Sequence, residues 1–302
     1  MKVLVFLGLL VAVSAVAIRK QRLDSNLQYS DPLGRNKLMP LSAAAYSNDP
    51  SQCLNNVFGV GICEKPRQIS VDCDFAEDSC NVFVTASHED QAIIISFRGT
   101  KGISQVESMF NDGNFGHENF TSSGTGGKVS KYFMNAYLKL WASGLKDAYF
   151  EMKNKYPNYQ IWVTGHNTGG SIASIFATKL IYLKQADTDN LLLVTFGQLR
   201  TGTRPYAELH DSLVKHSFRV VHSRDLFAHL PTLEWEDYYH HGVEIWYDNS
   251  MLSDDSYEKC IGGESKHCSD SLIFTMNPFD NYFYYGVKQP INDYGTSGCP
   301  QF

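Results

Sequence analysis

Residues 163–170, which read VTGHNTGG, join an apolar run to a segment with helical character. Ile161, Trp162 and Val163 lead into this stretch, and the small and apolar residues of SIASIFATKLI follow it. The glycines fit the pattern G-x-S-x-G, a sharp strand-to-helix turn that carries a nucleophilic serine at its tip. Asn167 stands where that serine would be. The stretch therefore predicts a strand, a turn and a helix, with an amide at the reactive position.

Strand and helix patterns alternate around this turn. Apolar runs typical of strands occur in CNVFVTAS, QAIIISFRGT, QIWVT, LLLVTF and FRVVHS, and VEIWY alternates. One face of an amphipathic helix is predicted between positions 134 and 153 by Leu138, Trp141, Leu145, Ala148 and Met152. Interleaved strands and helices favour an α/β fold in a single domain, with a mostly parallel central sheet and helices on both faces.

The first residues resemble a secretory signal peptide. Lys2 precedes an apolar stretch that ends in Ala15, Val16 and Ala17, a typical cleavage site. We therefore predict a signal peptide at residues 1–17, a mature domain at 18–302 and a secreted, extracellular protein. The apolar run is too short for stable membrane insertion. A formal net charge of −6 without basic clusters argues against nucleic acid as a partner.

Five motifs in a fixed order identify a family resemblance. They read FRGT, VTGHNTGG, FGQLRTGT, VVHSRDLFAHLPT and HHGVEIWYDN, and the similarity runs from about Leu41 to Cys299. In this order they resemble the fungal-type (class 3) lipases of the α/β-hydrolase superfamily. The resemblance implies an α/β-hydrolase fold, secretion, a Ser–Asp–His triad and hydrolysis of acylglycerol esters, hence a protein of lipid metabolism.

The triad positions can be carried over one by one. The resemblance places the catalytic acid at Asp225, in RDLFAHLP, and the base position at Asn281, in DNYFYYG. The nucleophile position is Asn167, and no histidine follows His267. An amide has no nitrogen that titrates near neutral pH and no hydroxyl to attack an ester. Both proton-handling positions are thus asparagine, although Asn281 could still donate a hydrogen bond to Asp225.

The oxyanion hole is expected to be better preserved than the triad. By resemblance its donors are Thr100 and the backbone N–H of Thr168, and a backbone donor does not depend on the side chain. The lid region is expected to differ, because KGISQVESMFNDGNF, residues 101–115, lacks the tryptophan-centred pattern of the family. Ser130 and Tyr132 also stand where relatives tend to have histidine and glycine.

The seven cysteines predict disulfides and one unpaired thiol. The resemblance suggests the pairs Cys260–Cys268 and Cys53–Cys299. Cys73–Cys80 is a short additional pair, and Cys63 is then the odd thiol. No C-x-x-C pair occurs, so neither a metal site nor a cofactor is predicted. Asn119, in the sequon NFT, is a predicted glycosylation site.

Three hypotheses follow. The first is a secreted lipase-like pseudoenzyme that can still bind lipid or ester ligands. The second is an active lipase or esterase with an unrecognised nucleophile and base. The third is a secreted interaction or defence protein that reuses the scaffold, because function resides in the site and not in the fold. An ester assay separates the second hypothesis from the others, and a fatty-acid titration separates the first from the third.

Overall fold

The computed structural model describes residues 27–73, 79–100, 116–253, 255–272 and 277–301. The predicted signal peptide at residues 1–17 and the lid segment at 101–115 lie outside these ranges, so both remain predictions. Within the described ranges, no helix combines the length and the apolar character needed to cross a membrane.

Most of the strands belong to one large sheet. The strands of the described residues are β1 Arg67–Asp72, β2 Ser79–Ser87, β3 Ala92–Phe97, β4 His117–Asn119, β5 Lys128–Ser130, β6 Gln160–His166, β7 Leu191–Phe196, β8 Gly202–Thr203, β9 His216–His222, β10 Tyr238–Tyr239, β11 Val243–Tyr247 and β12 Glu258–Ile261. Eight of them form a sheet in the order β1-β2-β3-β6-β7-β9-β11-β12, and β10-β8-β5-β4 form a smaller sheet.

The inner strands of the large sheet run parallel. β3, β6, β7, β9 and β11 pair in parallel, whereas β1, β2 and β12 are added antiparallel at the edges. Every residue of β3, β6 and β7 is buried, which explains their nearly continuous apolar sequences. The predicted α/β-hydrolase architecture, with its mostly parallel sheet, is confirmed. The sequence did not predict β1, β12 or the smaller sheet.

Helices cover both faces of the large sheet. They are α1 Asp31–Leu33, α2 Met39–Ala44, α3 Ser51–Phe58, α4 Lys131–Leu140, α5 Lys146–Lys155, α6 Thr168–Tyr182, α7 Arg204–Leu213 and α8 Ile291–Thr296. One apolar cluster includes residues of α4, α5 and α6, and a second cluster on the other face includes residues of α2, α3 and α8. The core is therefore divided by the sheet into two layers.

The helix predicted between positions 134 and 153 is two helices. A π-helical turn, Trp141–Leu145, separates α4 from α5, and Gly144 within it has a φ of 132°. Leu138, which we placed on the apolar face, is exposed, and Tyr137 and Leu140 are buried instead. The wider π turn rotates the second helix relative to the first. The buried residues of the two helices therefore do not follow one regular three- or four-residue spacing.

Candidate active site

The turn at Asn167 has the geometry that its glycines predict. β6 ends at His166, α6 begins at Thr168, and Asn167 between them has φ 54° and ψ −125°. A Cβ atom on Gly165 would overlap the backbone of Gly169, and one on Gly169 would overlap that of Phe97. The predicted strand-to-helix turn is confirmed. The φ and ψ of Asn167 lie outside the left-handed helical region that asparagine favours, so the tip of the turn is strained.

Two chain segments bring the other triad positions to this turn. Asp225 follows β9, and Asn281 ends a 3-10 turn, Pro278–Asn281. The backbone N–H of Arg224 donates to Asp280 Oδ2 at 2.9 Å, and the backbone N–H of Asn277 donates to the Arg224 carbonyl at 3.1 Å. These bonds hold the 3-10 turn against the loop after β9, at the carboxyl end of the parallel strands, where α/β folds place their sites.

The three predicted residues form one hydrogen-bonded chain. Asn167 Nδ2 donates to Asn281 Oδ1 at 2.8 Å, and Asn281 Nδ2 donates to Asp225 Oδ2 at 2.7 Å. The backbone N–H of Phe227 donates to Asp225 Oδ1 at 2.8 Å. All three side chains are at most 1% exposed. The hydrogen bond expected between Asn281 and Asp225 is therefore present, and each polar atom of the three side chains has a partner.

The electrostatics of Asp225 differ from those of a carboxylate beside a cation. Burial raises the pKa of Asp225 to about 7, although hydrogen bonds from Asn281 and the backbone act to lower it. The negative charge of Asp280 nearby raises the pKa further. The donors that face Asp225 are neutral amides, so an imidazolium, which would stabilise the charged carboxylate, is not among them.

The two predicted oxyanion donors already have a hydrogen-bond acceptor. The backbone N–H of Thr168 donates to Asn167 Oδ1 at 2.7 Å, and the hydroxyl of Thr100 donates to the same oxygen at 3.2 Å. We expected this hole to be independent of the side chain at the tip of the turn. The side-chain oxygen of Asn167 instead accepts a hydrogen bond from each of these donors.

A histidine that the sequence reasoning missed supports the base position. His166 Nε2 lies 2.7 Å from the backbone oxygen of Asn281, and its Nδ1 lies 2.6 Å from the Tyr46 hydroxyl. The Asn281 carbonyl can only accept, so Nε2 carries the proton and Tyr46 donates to Nδ1. Burial lowers the pKa of His166 to about 4. His166 therefore positions the backbone of Asn281 as a neutral imidazole, and both of its nitrogens are occupied.

The nearest serine does not replace the missing nucleophile. Ser171 lies one turn into α6, is fully buried and donates its hydroxyl to the Leu199 carbonyl at 3.0 Å. This local bonding agrees with the expectation that its hydroxyl is structural. Neither His166 nor Ser171 therefore presents a free reactive atom to the turn.

The three disulfides join the cysteines that were predicted to pair. Cys53 is bonded to Cys299, Cys73 to Cys80 and Cys260 to Cys268. Cys63 is a free, half-buried thiol. Asn119 lies on β4 with an exposed side chain, a position accessible to a glycosyltransferase.

Comparisons with known proteins agree with this architecture. The family model described as Lipase (class 3) matches residues 94–235. A lipase of Caenorhabditis elegans is 32% identical, over 90% of this chain and 83% of the relative. The secreted mono- and diacylglycerol lipase 2 of Gibberella zeae is 25% identical, over 78% of this chain and 64% of the relative. The crystal structure of a lipase from Rhizopus microsporus var. chinensis superposes with a TM-score of 0.66 at 25% identity, covering 83% of this chain and 88% of that chain.

Proposed function

The chain belongs to the class 3 lipase family, and from this membership we propose that it is a lipase-like protein that binds a lipid or ester ligand without hydrolysing it. The proposal rests first on residue chemistry. Ester hydrolysis by a triad needs a hydroxyl that attacks and an imidazole that takes its proton. Asn167 and Asn281 occupy those two positions.

The expected loss of rate is large. In serine hydrolases, removing the serine or the histidine alone lowers turnover by about 10⁶-fold. This corresponds to roughly 8 kcal/mol of activation free energy. The oxyanion hole and substrate binding by themselves leave only about 10³- to 10⁴-fold acceleration over water.

One structural observation supports the proposal in addition to the two substitutions. Asn167 Oδ1 accepts hydrogen bonds from both Thr100 and the Thr168 backbone, the donors that would stabilise an oxyanion. A substrate carbonyl would have to displace that oxygen before it could be polarised. The residual acceleration that an intact hole would supply is therefore also removed.

Ligand binding is proposed from the family and from an exposed apolar side chain. Phe279, two residues before Asn281, is 68% exposed. Its aromatic ring offers an apolar surface close in sequence to the predicted site. Acyl chains match this chemistry, and no charge is needed to hold them.

An extracellular location completes the proposal. Support comes from the three disulfides, which persist in oxidising compartments. The leader pattern at residues 1–17 and the sequon at Asn119 point the same way. Secretion, removal of residues 1–17 and glycosylation of Asn119 are proposed together.

The first test is ester hydrolysis by the folded protein. We expect wild type to hydrolyse a short-chain nitrophenyl ester no faster than its heat-denatured control. Asn167→Ser or Asn281→His alone should also be inactive, because each lacks the partner group. The double variant should gain activity, since serine removes the amide oxygen from the oxyanion donors and histidine restores a base beside Asp225. Asn55→His, on the exposed side of α3, is the control substitution.

Two results would contradict the proposal. Wild-type hydrolysis that survives Asn167→Ala would mean that another group is the nucleophile, and hydrolysis abolished by Asn167→Ala would mean chemistry at the amide position. Titration with a fluorescent fatty acid tests the second half of the proposal separately. Saturable binding is expected, and its absence would favour an interaction role without a lipid ligand.

A further inference from the structure

A histidine beside the candidate site faces two carbonyl groups. His222 is the last residue of β9, and its half-buried ring lies between two other segments. Its Nδ1 lies 3.1 Å from the backbone oxygen of Asp280, and its Nε2 lies 3.0 Å from the backbone oxygen of Asn249, in the loop after β11. We propose that His222 is a pH-sensitive clamp on the turn that carries Asn281. The protonated ring holds both carbonyls, and the neutral ring releases one of them.

The chemistry of the two acceptors assigns the number of ring protons. A carbonyl oxygen only accepts, so both contacts are hydrogen bonds only when Nδ1 and Nε2 of His222 each carry a proton. A neutral imidazole has one N–H, and its other nitrogen would turn a lone pair towards a carbonyl oxygen. Rotating the ring by half a turn does not help, because ring carbons would then face both carbonyls. The arrangement therefore fits the imidazolium.

His166 gives an internal comparison on the same turn. It donates to the backbone oxygen of Asn281, the residue after Asp280, but its second nitrogen faces the Tyr46 hydroxyl, which can donate. One ring proton satisfies both contacts of His166, and burial lowers the pKa of this residue to about 4. Two consecutive carbonyls are thus held by a neutral histidine and by one that needs a charge. Only the contact of His222 is expected to change between about pH 5 and 8, where histidine typically changes its charge.

The charges around His222 are compatible with its protonated form. The ionisable side chains of the turn, of the two loops that meet there and of the neighbouring tyrosines are Asp280, Arg224, Asp225, Asp248, Asp255, Tyr247 and Tyr284. Burial raises the pKa of both tyrosines, so they stay neutral. Burial also raises the pKa of Asp225 to about 7, so this group is neutral in acid and gains a negative charge as pH rises. The acids outnumber the single arginine, so no net positive charge opposes the imidazolium.

The clamp acts on the candidate site through the backbone of the turn. Asn281 follows Asp280 directly, donates to Asp225 Oδ2 at 2.7 Å and accepts from Asn167 Nδ2 at 2.8 Å. When His222 loses a proton, the turn is held by one hydrogen bond fewer, and Asn281 is positioned less firmly. The site is therefore expected to be most rigid in acid and to loosen as pH rises.

The first test counts the ring protons of His222. The full mature chain is labelled with nitrogen-15 in its histidine rings and measured by NMR at pH 5 and pH 8. We expect His222 to show two ring N–H signals protected from solvent exchange at pH 5 and one at pH 8, whereas His166 shows one at both. His267, an exposed histidine, should show none. A single His222 signal at pH 5, or two signals at both pH values, would overturn the proposal.

Hydrogen exchange measures the effect on the turn. The backbone N–H groups of Arg224 and Asn277 bond the turn to the loop after β9, and their exchange is corrected for its intrinsic pH dependence. In wild type and in the control His267→Gln we expect about fivefold stronger protection at pH 5 than at pH 8, the effect of one average hydrogen bond.

His222→Gln carries an amide whose charge does not change with pH, so its protection should be the same at both pH values. Equal pH dependence in His222→Gln and wild type would contradict the clamp. The ring-proton measurement needs only wild type, so the proposal stays testable if His222→Gln fails to fold. Neither experiment depends on ester hydrolysis or on a ligand, so the clamp and the proposed function are tested independently.

Discussion

Asparagine at position 167 satisfies the neighbouring donors within a strained turn. Its φ of 54° and ψ of −125° lie outside the left-handed helical region that asparagine favours, so the surrounding hydrogen bonds and packing hold the residue there. Its amide oxygen accepts from two donors, and its amide nitrogen donates to Asn281. Alanine at this position would leave a buried backbone N–H and a buried amide oxygen without partners. The asparagines at the two predicted reactive positions therefore complete the hydrogen bonding of the turn.

The raised pKa of Asp225 predicts a specific pH dependence of stability. The carboxyl has a pKa of about 7 in the folded chain and near 4 when unfolded, so the folded state holds an additional proton between these values. Stability therefore falls as pH rises through this window. Relative to that of Asp225→Asn, the free energy of unfolding of wild type should fall by up to about 1.4 kcal/mol per pH unit between pH 4 and 7, and should not change further above pH 7.

Urea unfolding of both proteins at pH 5 and pH 8 measures this difference. Asp293→Asn, at an exposed position, is the control. Subtracting the free energy of unfolding of Asp225→Asn from that of wild type removes the contribution of the other titrating groups. If this difference in the free energy of unfolding instead shifted in favour of wild type as pH rises, the prediction would be wrong, because the fold would then stabilise the charged form of Asp225.

The strand–turn–helix unit of β6 and α6 depends on close backbone approach. Gly169 lies where a Cβ atom would overlap the carbonyl of Phe97 and lie 2.6 Å from the carbonyl carbon of Arg98. Gly170 is the next residue on the same helix, and a Cβ there would be 3.1 Å from Gln198 Cβ. The first contact is an overlap with the backbone of β3 and its following loop, whereas the second is a tight contact, without overlap, with side-chain atoms of Gln198. Adjacent glycines of one helix thus carry different constraints.

We therefore expect Gly169→Ala to lower the free energy of unfolding by about 3 kcal/mol, because the backbone of the neighbouring strand cannot move aside. Gly170→Ala should change stability by about 1 kcal/mol or less, since the helix propensity gained offsets the tighter packing. Chemical denaturation of the two variants beside wild type measures both values. Equal losses in the two variants would show that the approach of α6 to β3 is not the constraint.

At the scale of the whole molecule, the two ends of the described chain lie together. Cys53 on α3 is bonded to Cys299 just after α8, across a sequence separation of 246. Leu41 of α2 and Ile291 and Tyr294 of α8 belong to the same apolar cluster. The disulfide therefore closes nearly the entire fold, whereas the pair Cys260–Cys268 closes a loop with a separation of 8.

Loop-closure entropy then predicts unequal effects of removing the two disulfides. Cys53→Ala with Cys299→Ala should destabilise the fold by about 3 kcal/mol more than Cys260→Ala with Cys268→Ala, because the longer loop restricts the unfolded chain more strongly. Guanidinium unfolding of the two double variants measures the difference. A larger loss from the short pair would mean that local geometry around β12, and not chain entropy, dominates.

The sequence by itself determined the features that depend on neighbouring residues. The glycines around Asn167 predicted the turn, apolar runs predicted the inner strands, and the register of DNYFYYG placed Asn281 at the base position. These features are local, because a turn or a buried strand imposes residue types at fixed short spacing. The interrupted helix at Gly144 was missed, since a π turn changes the period on which the prediction relies.

Only the tertiary structure decided how these residues act on each other. Asn167 and Asn281 are 114 positions apart, and nothing in either segment shows that Asn167 Oδ1 accepts from Thr100 and from the backbone of Thr168. The stacking of the buried His210 and His241 rings likewise depends on the packing of α7 against the loop after β10. Such contacts are set by distances of a few ångströms between separate segments. The spacing of residues along the sequence does not determine these contacts. The sheet determines them, because it brings the separate segments together.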